Sequence, residues 1–159
     1  MRQEIDDKHF RFLTSLRTRF TEVDLQGVVH HSEIVKYLEI ARIEYWRNLG
    51  IGYREFRQFG YEYVVSKLEC NYLKPLYFDN LITIKARISR ITRTSITFDY
   101  LIYDQDNVLA IDAHILLVCM QIGRLKPCPI PAEYLKKVIG YEKPGSIDLK
   151  AGKAFDTRD

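Results

Sequence analysis

The chain has 159 residues, of which 47% are hydrophobic and 28% charged, and its formal net charge is +3. This length fits one domain of about 100–200 residues that can bury a core without disulfide or zinc staples, and the composition argues against disorder and low complexity. The weak positive charge argues against general nucleic-acid binding, and the longest apolar run, residues 115–120, is far shorter than the roughly 20 residues of a membrane span.

Two elements are predicted in the first third of the chain. Residues 15–21 alternate with a period of two, which predicts a strand. After a turn, a helix is expected from His31 or Ser32 to Leu49, with Ser32 as its N-cap and two glycines beyond its end. Apolar side chains recur along this helix at the spacing of one buried face: Ile34, Tyr37, Leu38, Ala41, Tyr45 and Leu49.

The rest of the chain reads mainly as strands. After a short helix over 53–59, the hydrophobic period of two predicts strands over 61–72, 81–91, 95–103 and 108–121, and a short helix follows over 131–138. The last strand is apolar on both faces over 115–120, so cover is expected on both sides.

The predicted fold class is therefore α+β, with one long helix against an antiparallel sheet of about five strands. Residues 1–140 form a single domain in this interpretation, and residues 141–159 form a polar, loosely held C-terminal tail. The long helix covers one sheet face, and a second subunit is the economical cover for the other.

The cysteines and the N-terminus indicate in which cellular compartment the protein is expected. The three cysteines, Cys70, Cys119 and Cys128, are odd in number, and no two have the close spacing of a zinc or redox motif. We interpret them as small hydrophobic residues of a reducing, cytoplasmic setting. The charged N-terminus has no apolar stretch behind it, so no secretory signal is expected.

Residues 19–31 carry the densest cluster of reactive side chains. Two carboxylates, Glu22 and Asp24, and two imidazoles, His30 and His31, lie just before the predicted long helix. The free N–H groups of a helix start stabilise negative charge, so this segment offers both a base and oxyanion donors. The alternative is structural, because aspartate often caps such turns. No metal site is expected, because adjacent histidines point apart and no third ligand is near.

The same segment resembles a known family. Residues 24–31, together with Tyr37-Leu38-Glu39 and Ala41-Arg42, resemble the signature of the hotdog-fold acyl-CoA thioesterases. The nearest branch is the 4-hydroxybenzoyl-CoA thioesterase-like group, which includes the Tol–Pal-associated thioesterases. Residues 72–81 are similar to the family's strand-turn around a proline, and the resemblance covers about residues 14–131. The chain departs from the pattern at a few positions: Glu22, His30, Glu33, Ile34 and Leu76.

This resemblance implies a hotdog fold, a homodimer or homotetramer, and acyl-CoA hydrolysis at the subunit interface without a cofactor. It assigns Asp24 as general base or nucleophile. The oxyanion donors are placed at the helix start with Gly27 and His31, and the His31 side chain assists. Because coenzyme A carries phosphates, the turn with Arg90, Arg93 and Ser95 is the expected binding site for it. An ordinary solvated turn remains the alternative there.

Two other functions stay open at this point. One is a hotdog protein that binds an acyl carrier or acyl-CoA without hydrolysing it. The other is an interaction module that uses a tyrosine-rich surface, since 11 residues are tyrosine. The acyl group and the choice between coenzyme A and acyl carrier protein are open as well.

Overall fold

The structure, a computed structural model, describes residues 6–124 and 126–149. It contains three α-helices: α1 His31–Asn48, α2 Tyr53–Gln58 and α3 Ala132–Tyr141. Its strands are β1 Phe12–Arg17, β2 Tyr61–Tyr72, β3 Leu81–Ile91, β4 Ser95–Tyr103, β5 Leu109–Gln121 and β6 Asp148–Leu149. Short 3-10 turns occupy Asp7–His9 and Phe20–Glu22.

The strands form one sheet around the long helix. The order is β1-β3-β4-β5-β2, with antiparallel neighbours throughout, and β6 is added to β3 in parallel. The predicted α+β class and the five-stranded antiparallel sheet are confirmed. The two sheet edges are β1 and β2, which are 6 and 12 residues long.

The core lies between α1 and the inner face of the sheet. Side chains of a strand alternate between faces, and the inward ones of β3, β4 and β5 are almost wholly buried, as their period of two predicts. The helix contributes Tyr37 and Tyr45, both at most 1% exposed. The buried strand residues on this face are Ile82, Ile84, Ala86, Ile88, Ile96, Phe98, Tyr100, Ile102, Ile111, Ala113, Ile115, Leu117 and Cys119.

The first strand departs from the prediction for residues 15–21. The chain leaves the sheet after Arg17, because the Thr18 hydroxyl donates to the Tyr77 carbonyl at 2.6 Å and the Thr18 N–H donates to the Asn80 carbonyl at 2.9 Å. Phe20 then begins a 3-10 turn and is 78% exposed. The alternation that predicted a strand there comes from residues that face solvent or a loop.

The C-terminal segment is also more ordered than expected. Glu142 is 3% exposed, and its Oε1 accepts hydrogen bonds from the Tyr45 hydroxyl at 2.6 Å and from the Ile88 N–H at 2.8 Å. Strand β6 pairs with Arg90 and Ile91. Since β1 reaches β3 only as far as Ala86, residues 142–149 complete that edge. Residues 150–159 of the predicted tail lie outside the described residues.

Among the strands of the described residues, none pairs with the outer edge of β2, which is apolar. Val64 and Val65 in its middle are 46% and 48% exposed. The outward residues of neighbouring β5, Leu116, Val118 and Met120, are half-buried rather than covered. Among the described residues, no helix has the length and apolar character needed to cross a membrane.

Candidate functional site

Asp24 lies at the start of a tight hairpin that leads into α1. Val23 and Val29 form an antiparallel bridge, the Asp24 N–H donates to the Val28 carbonyl at 2.9 Å, and the Gly27 N–H donates to the Asp24 carbonyl at 3.0 Å. Gly27 has a positive φ of 78°, which is the left-handed position that closes such a short hairpin. The backbone here therefore requires glycine.

The Asp24 carboxylate is held by one oxygen. Its Oδ1 accepts the N–H of Gln26 at 2.8 Å, which is the Asx-turn that the structural interpretation of this residue predicts. The side chain is nevertheless half-exposed, and Oδ2 takes part in none of the hydrogen bonds found among the described residues. The turn fixes the direction of the carboxylate and leaves its second oxygen available.

The start of α1 lies directly after this hairpin. His30, and not Ser32, is the N-cap: its Nδ1 accepts the Ser32 N–H at 3.3 Å and also lies 2.8 Å from the Ser32 hydroxyl. The His30 carbonyl accepts the Glu33 N–H at 2.9 Å. The His31 N–H takes part in no hydrogen bond found within the described residues, and the His31 side chain is exposed. A helix start normally leaves such donors free.

A hydrogen-bonded link ties the Asp24 hairpin to the body of the helix. The Tyr37 hydroxyl donates to Glu22 Oε2 at 2.6 Å, and the Arg19 N–H donates to the same oxygen at 2.6 Å. The Glu22 carbonyl accepts the His30 N–H at 2.8 Å. Burial, followed by the neighbouring Glu22 carboxylate, raises the pKa of Tyr37 far above its usual value. Tyr37 therefore stays protonated, and a hydrogen-bond donor, at neutral pH.

A cleft of about 660 Å³ opens beside this link, between the end of β1 and the first turns of α1. Glu22 and Tyr37 form part of its wall, and Arg17, Arg19 and Lys36 bring positive charge to it. Lys36 also pairs with Glu33 at 2.7 Å. The cleft could receive part of an anionic ligand near the helix start.

The predicted coenzyme A residues lie elsewhere in the same chain. Arg90 and Ser95 line a groove of about 980 Å³ on the outer face of the sheet. Arg90 is already paired with Asp148 at 3.0 Å, and the Ser95 hydroxyl lies 2.7 Å from that of Thr92. Arg93 is exposed, and its carbonyl accepts the Ile130 N–H at 3.0 Å.

A buried charge network forms the floor of this outer groove. Asp99 is 5% exposed; its Oδ1 lies 2.7 Å from His114 Nδ1 and accepts the Ser89 hydroxyl at 2.8 Å, and its Oδ2 accepts Arg87 Nη2 at 2.9 Å. Burial opposes the Asp99 charge, but these donors outweigh it and lower its pKa. The bond to Asp99 raises the pKa of His114 against the effect of burial.

Within one chain, Asp24, Gly27 and His31 lie together. The three predicted coenzyme A residues lie far from this group. The Asp24 hairpin lies near the first residue of β3, since Arg17 pairs with Leu81. Arg90 lies at the other end of that strand, roughly 30 Å away at about 3.3 Å per residue.

Sequence reasoning missed three supporting residues here. Glu22 was noted as a carboxylate, but its bond to Tyr37 joins residues 15 positions apart. The capping role of His30 was assigned to Ser32. The Tyr72 hydroxyl, at the end of β2, donates to the His31 carbonyl at 3.2 Å. The available signal in the sequence was Tyr37 on the buried face of the predicted helix, because a buried tyrosine hydroxyl needs a hydrogen-bond partner.

Comparison with known proteins places the chain in a family. The sequence profile of the thioesterase superfamily matches residues 26–111. A protein of Aquifex aeolicus is 35% identical over 99 residues, which are 62% of this chain and 77% of that protein. The acyl-CoA thioester hydrolase YbgC of Escherichia coli is 28% identical over 120 residues, which are 76% of this chain and 90% of that protein. The crystal structure of a hypothetical protein from Aquifex aeolicus matches at 32% identity with a TM-score of 0.76, covering 80% of this chain and 99% of that one.

The long helix held against a five-stranded antiparallel sheet is a hotdog fold, as the resemblance implied. The chain belongs to the thioesterase superfamily, and this confirms the predicted class of enzyme, a thioester hydrolase. The matched region begins two residues after Asp24. The family match therefore does not include Asp24, and a catalytic role for this residue is supported by the hairpin geometry and the sequence pattern.

Proposed function

We propose that this protein hydrolyses an acyl-CoA thioester to a free acid and coenzyme A, with Asp24 as the reacting carboxylate. The observation that carries the proposal is the Asp24 side chain, fixed through one oxygen by the Gln26 N–H directly before the start of α1. Family membership supplies the reaction class, and the relative from Escherichia coli named as an acyl-CoA thioester hydrolase supports the carrier. The narrower 4-hydroxybenzoyl-CoA thioesterase-like and Tol–Pal-associated branch stays a prediction.

In this mechanism Asp24 activates water. Its free Oδ2 takes a proton from a water molecule as the water oxygen attacks the thioester carbon. The carbonyl oxygen becomes an oxyanion, which then reforms the carbonyl and expels the coenzyme A thiolate. The thiolate takes up a proton, so water is consumed and an acid and a thiol are produced. Direct attack by the carboxylate, with later hydrolysis of the mixed anhydride, is the second form of the same proposal.

The His31 N–H is the proposed oxyanion donor. It is free among the described residues, and it lies at the positive end of the α1 dipole. The Gly27 N–H is already used by the Asp24 carbonyl, so the role of Gly27 changes from donor to the residue that closes the hairpin. One positioned oxyanion donor contributes about 10²–10³-fold to a rate. Tyr72, which donates to the His31 carbonyl, would hold this first turn in place.

The proposal includes a homodimer joined through the open edge of β2. A two-fold pairing of this strand with its copy sets the Tyr72 end of one chain beside the Tyr61 end of the other. Tyr61 pairs with Gln121, close to the place where Ser95 pairs with Val118. The Asp24 hairpin of one copy then meets the β3–β4 turn of the other.

This arrangement would resolve the separation of the predicted residues. Arg90, Arg93 and Ser95 would serve the coenzyme A bound at the active site of the other copy. Arg93 is the best placed for a phosphate because it is exposed, whereas Arg90 is paired with Asp148. Association of two such dimers into a homotetramer stays a prediction.

The test is thiol release from a panel of benzoyl-, short-chain and long-chain acyl-CoA substrates, with wild-type protein beside Asp24→Asn. Asparagine keeps the oxygen that accepts the Gln26 N–H, so the hairpin is preserved while the base is lost. A positioned base contributes about 10²–10⁴-fold, so turnover is expected to fall at least a hundredfold.

The matched control is Asp104→Asn. Asp104 forms an equivalent turn in the β4–β5 connection, where its Oδ1 accepts the N–H groups of Asp106 and Val108 at 2.9 and 2.8 Å. It loses the same charge and should retain full activity. Full turnover in Asp24→Asn would refute the assignment. No hydrolysis by the wild type, combined with tight binding of an acyl carrier, would favour the binding function instead.

A further inference from the structure

Two cysteines that lie nine residues apart in the sequence meet in the fold. The chain leaves β5, turns back, and forms an antiparallel bridge between Met120 and Pro127. This register sets Cys119 directly opposite Cys128, and the Cys128 N–H donates to the Cys119 carbonyl at 2.9 Å. Their sulfur atoms are 3.7 Å apart.

This backbone geometry is compatible with a disulfide. Directly opposed residues of antiparallel strands have Cα atoms about 4.5–5.5 Å apart, within the roughly 4.4–6.8 Å range of disulfides. The two sulfurs are 3.7 Å apart and must approach each other to reach the S–S length of about 2.05 Å in a disulfide. The segment after β5 also turns at Gly123, which has a φ of 78°.

The two thiols differ in exposure. Cys119 is wholly buried, and burial together with its contact to Cys128 raises the pKa of the Cys119 thiol to about 12. Cys128 is half-buried at the surface, so a small oxidant can reach it first. The third cysteine, Cys70, pairs with Ala113, six residues along β5 from Cys119 and therefore roughly 20 Å away.

We propose that Cys119 and Cys128 form a reversible intramolecular disulfide when the protein meets a peroxide. The Cys128 thiolate attacks one peroxide oxygen, breaks the O–O bond and becomes a sulfenic acid. Cys119 then attacks the Cys128 sulfur, its proton passes to the departing hydroxyl, and water leaves. In total, two thiols lose two electrons and two protons, and one hydrogen peroxide becomes two water molecules.

The new bond would lie beneath a functionally placed turn. The Cys119 N–H donates to the Thr94 carbonyl at 2.8 Å, and the Ile130 N–H donates to the Arg93 carbonyl at 3.0 Å. The two strands that the disulfide would join are thus the two that hold the β3–β4 turn. Oxidation would link the two segments that contact the β3–β4 turn by a covalent bond. The disulfide would form by thiol chemistry alone, whether or not the protein hydrolyses acyl-CoA.

The experiment treats the folded protein with hydrogen peroxide, alkylates it with N-ethylmaleimide in denaturant, and measures intact mass and tryptic peptides. Cleavage after Arg124 separates the two cysteines, so a disulfide appears as a linked peptide pair. The expected result is alkylation of one thiol per chain instead of three, a mass loss of 2 Da before alkylation, and recovery of all three thiols with dithiothreitol.

Two variants complete the test. Cys70→Ser should form the linked pair as the wild type does. Cys128→Ser should leave Cys119 alkylatable after the same peroxide treatment, because a buried thiol with a raised pKa reacts slowly. Oxidation of Cys128 to the sulfinic acid while Cys119 stays free would overturn the proposal, and so would disulfides between chains in place of the internal one.

Discussion

Replacing Tyr37 by phenylalanine removes the hydroxyl that connects the helix to the Asp24 hairpin and leaves the buried ring in place. The lost bond is 2.6 Å long and ends on the Glu22 carboxylate. A hydrogen bond to a charged group contributes about 1.5–3 kcal/mol. Since each 1.36 kcal/mol on a barrier is a factor of ten, the largest possible effect on kcat is about 10- to 150-fold.

The expected result is a fall in kcat within that limit that exceeds any change in KM, because the Tyr37 hydroxyl donates to Glu22 and positions the Asp24 hairpin through it. The assay is thiol release over a range of acyl-CoA concentrations, with the free energy of unfolding measured in urea beside it. Glu22→Gln keeps the acceptor oxygen while removing the charge, so its kcat should lie between those of wild type and Tyr37→Phe.

The chain offers a closely matched control at the other end of the same helix. The Tyr45 hydroxyl donates to a buried Glu142 oxygen, also at 2.6 Å. Tyr45→Phe should cost a similar 1–3 kcal/mol of stability while leaving kcat unchanged. If both variants lose stability and activity equally, the Tyr37 bond supports the fold in general, and the positioning argument is wrong.

Three further outcomes follow from the structure. Burial raises the pKa of Glu142, and its bonds to Tyr45 and Ile88 partly offset this rise. The contribution of Glu142 to the free energy of unfolding is therefore full below about pH 4.5, the pKa of the unfolded state. It is lost as pH rises through the higher pKa of the folded state. Glu142→Gln should therefore gain stability relative to wild type as pH rises from 4 to 8 in urea unfolding, and a constant difference would contradict the assignment. The Asp99 bond raises the pKa of His114 above 6.5, so the imidazole NMR titration of His114 should shift to lower pH in Asp99→Asn. The stability from the His114 charge is full just below pH 6.5 and declines as pH rises through the folded pKa of His114; at acid pH it is also lost, as Asp99, whose own pKa is lowered, takes up a proton. Val65→Glu would set two carboxylates near the two-fold axis of the β2 pair, so light scattering should show dimers becoming monomers, and unchanged dimers would exclude this interface.

The sequence predicted the regular elements where packing and pattern agree. Strands β2, β3 and β4 have their predicted bounds. Their two faces lie in different environments, and the alternation of apolar and polar residues along the sequence reflects this difference. Residues 18–21 carry the same period but leave the sheet, because Thr18 bonds to the Tyr77 loop. No local pattern reports a contact between residues 59 positions apart.

The site was predicted in part for a similar reason. The Asp24 hairpin and the helix start are contiguous in sequence, so their proximity could be inferred. The bond from Tyr37 to Glu22 and the contact of Cys119 with Cys128 depend on tertiary packing and on a chain reversal. The cap by His30 is local, and it was missed because Ser32 is of a more common N-cap type. In the proposed homodimer, the relation of Arg90 and Arg93 to Asp24 would depend on a second copy, whose position a single sequence does not carry.

The two edges of the sheet differ in what they offer another strand. On one side β1 is six residues long, and the stretch of β3 beyond it is occupied by Glu142 and β6. On the other side β2 presents 12 residues. Exposed edges can recruit further strands without limit, and proteins suppress this by shortening or covering them. In the proposed homodimer, growth by strand addition would end once the two long edges have joined, because the C-terminal segment already occupies the other edge of β3.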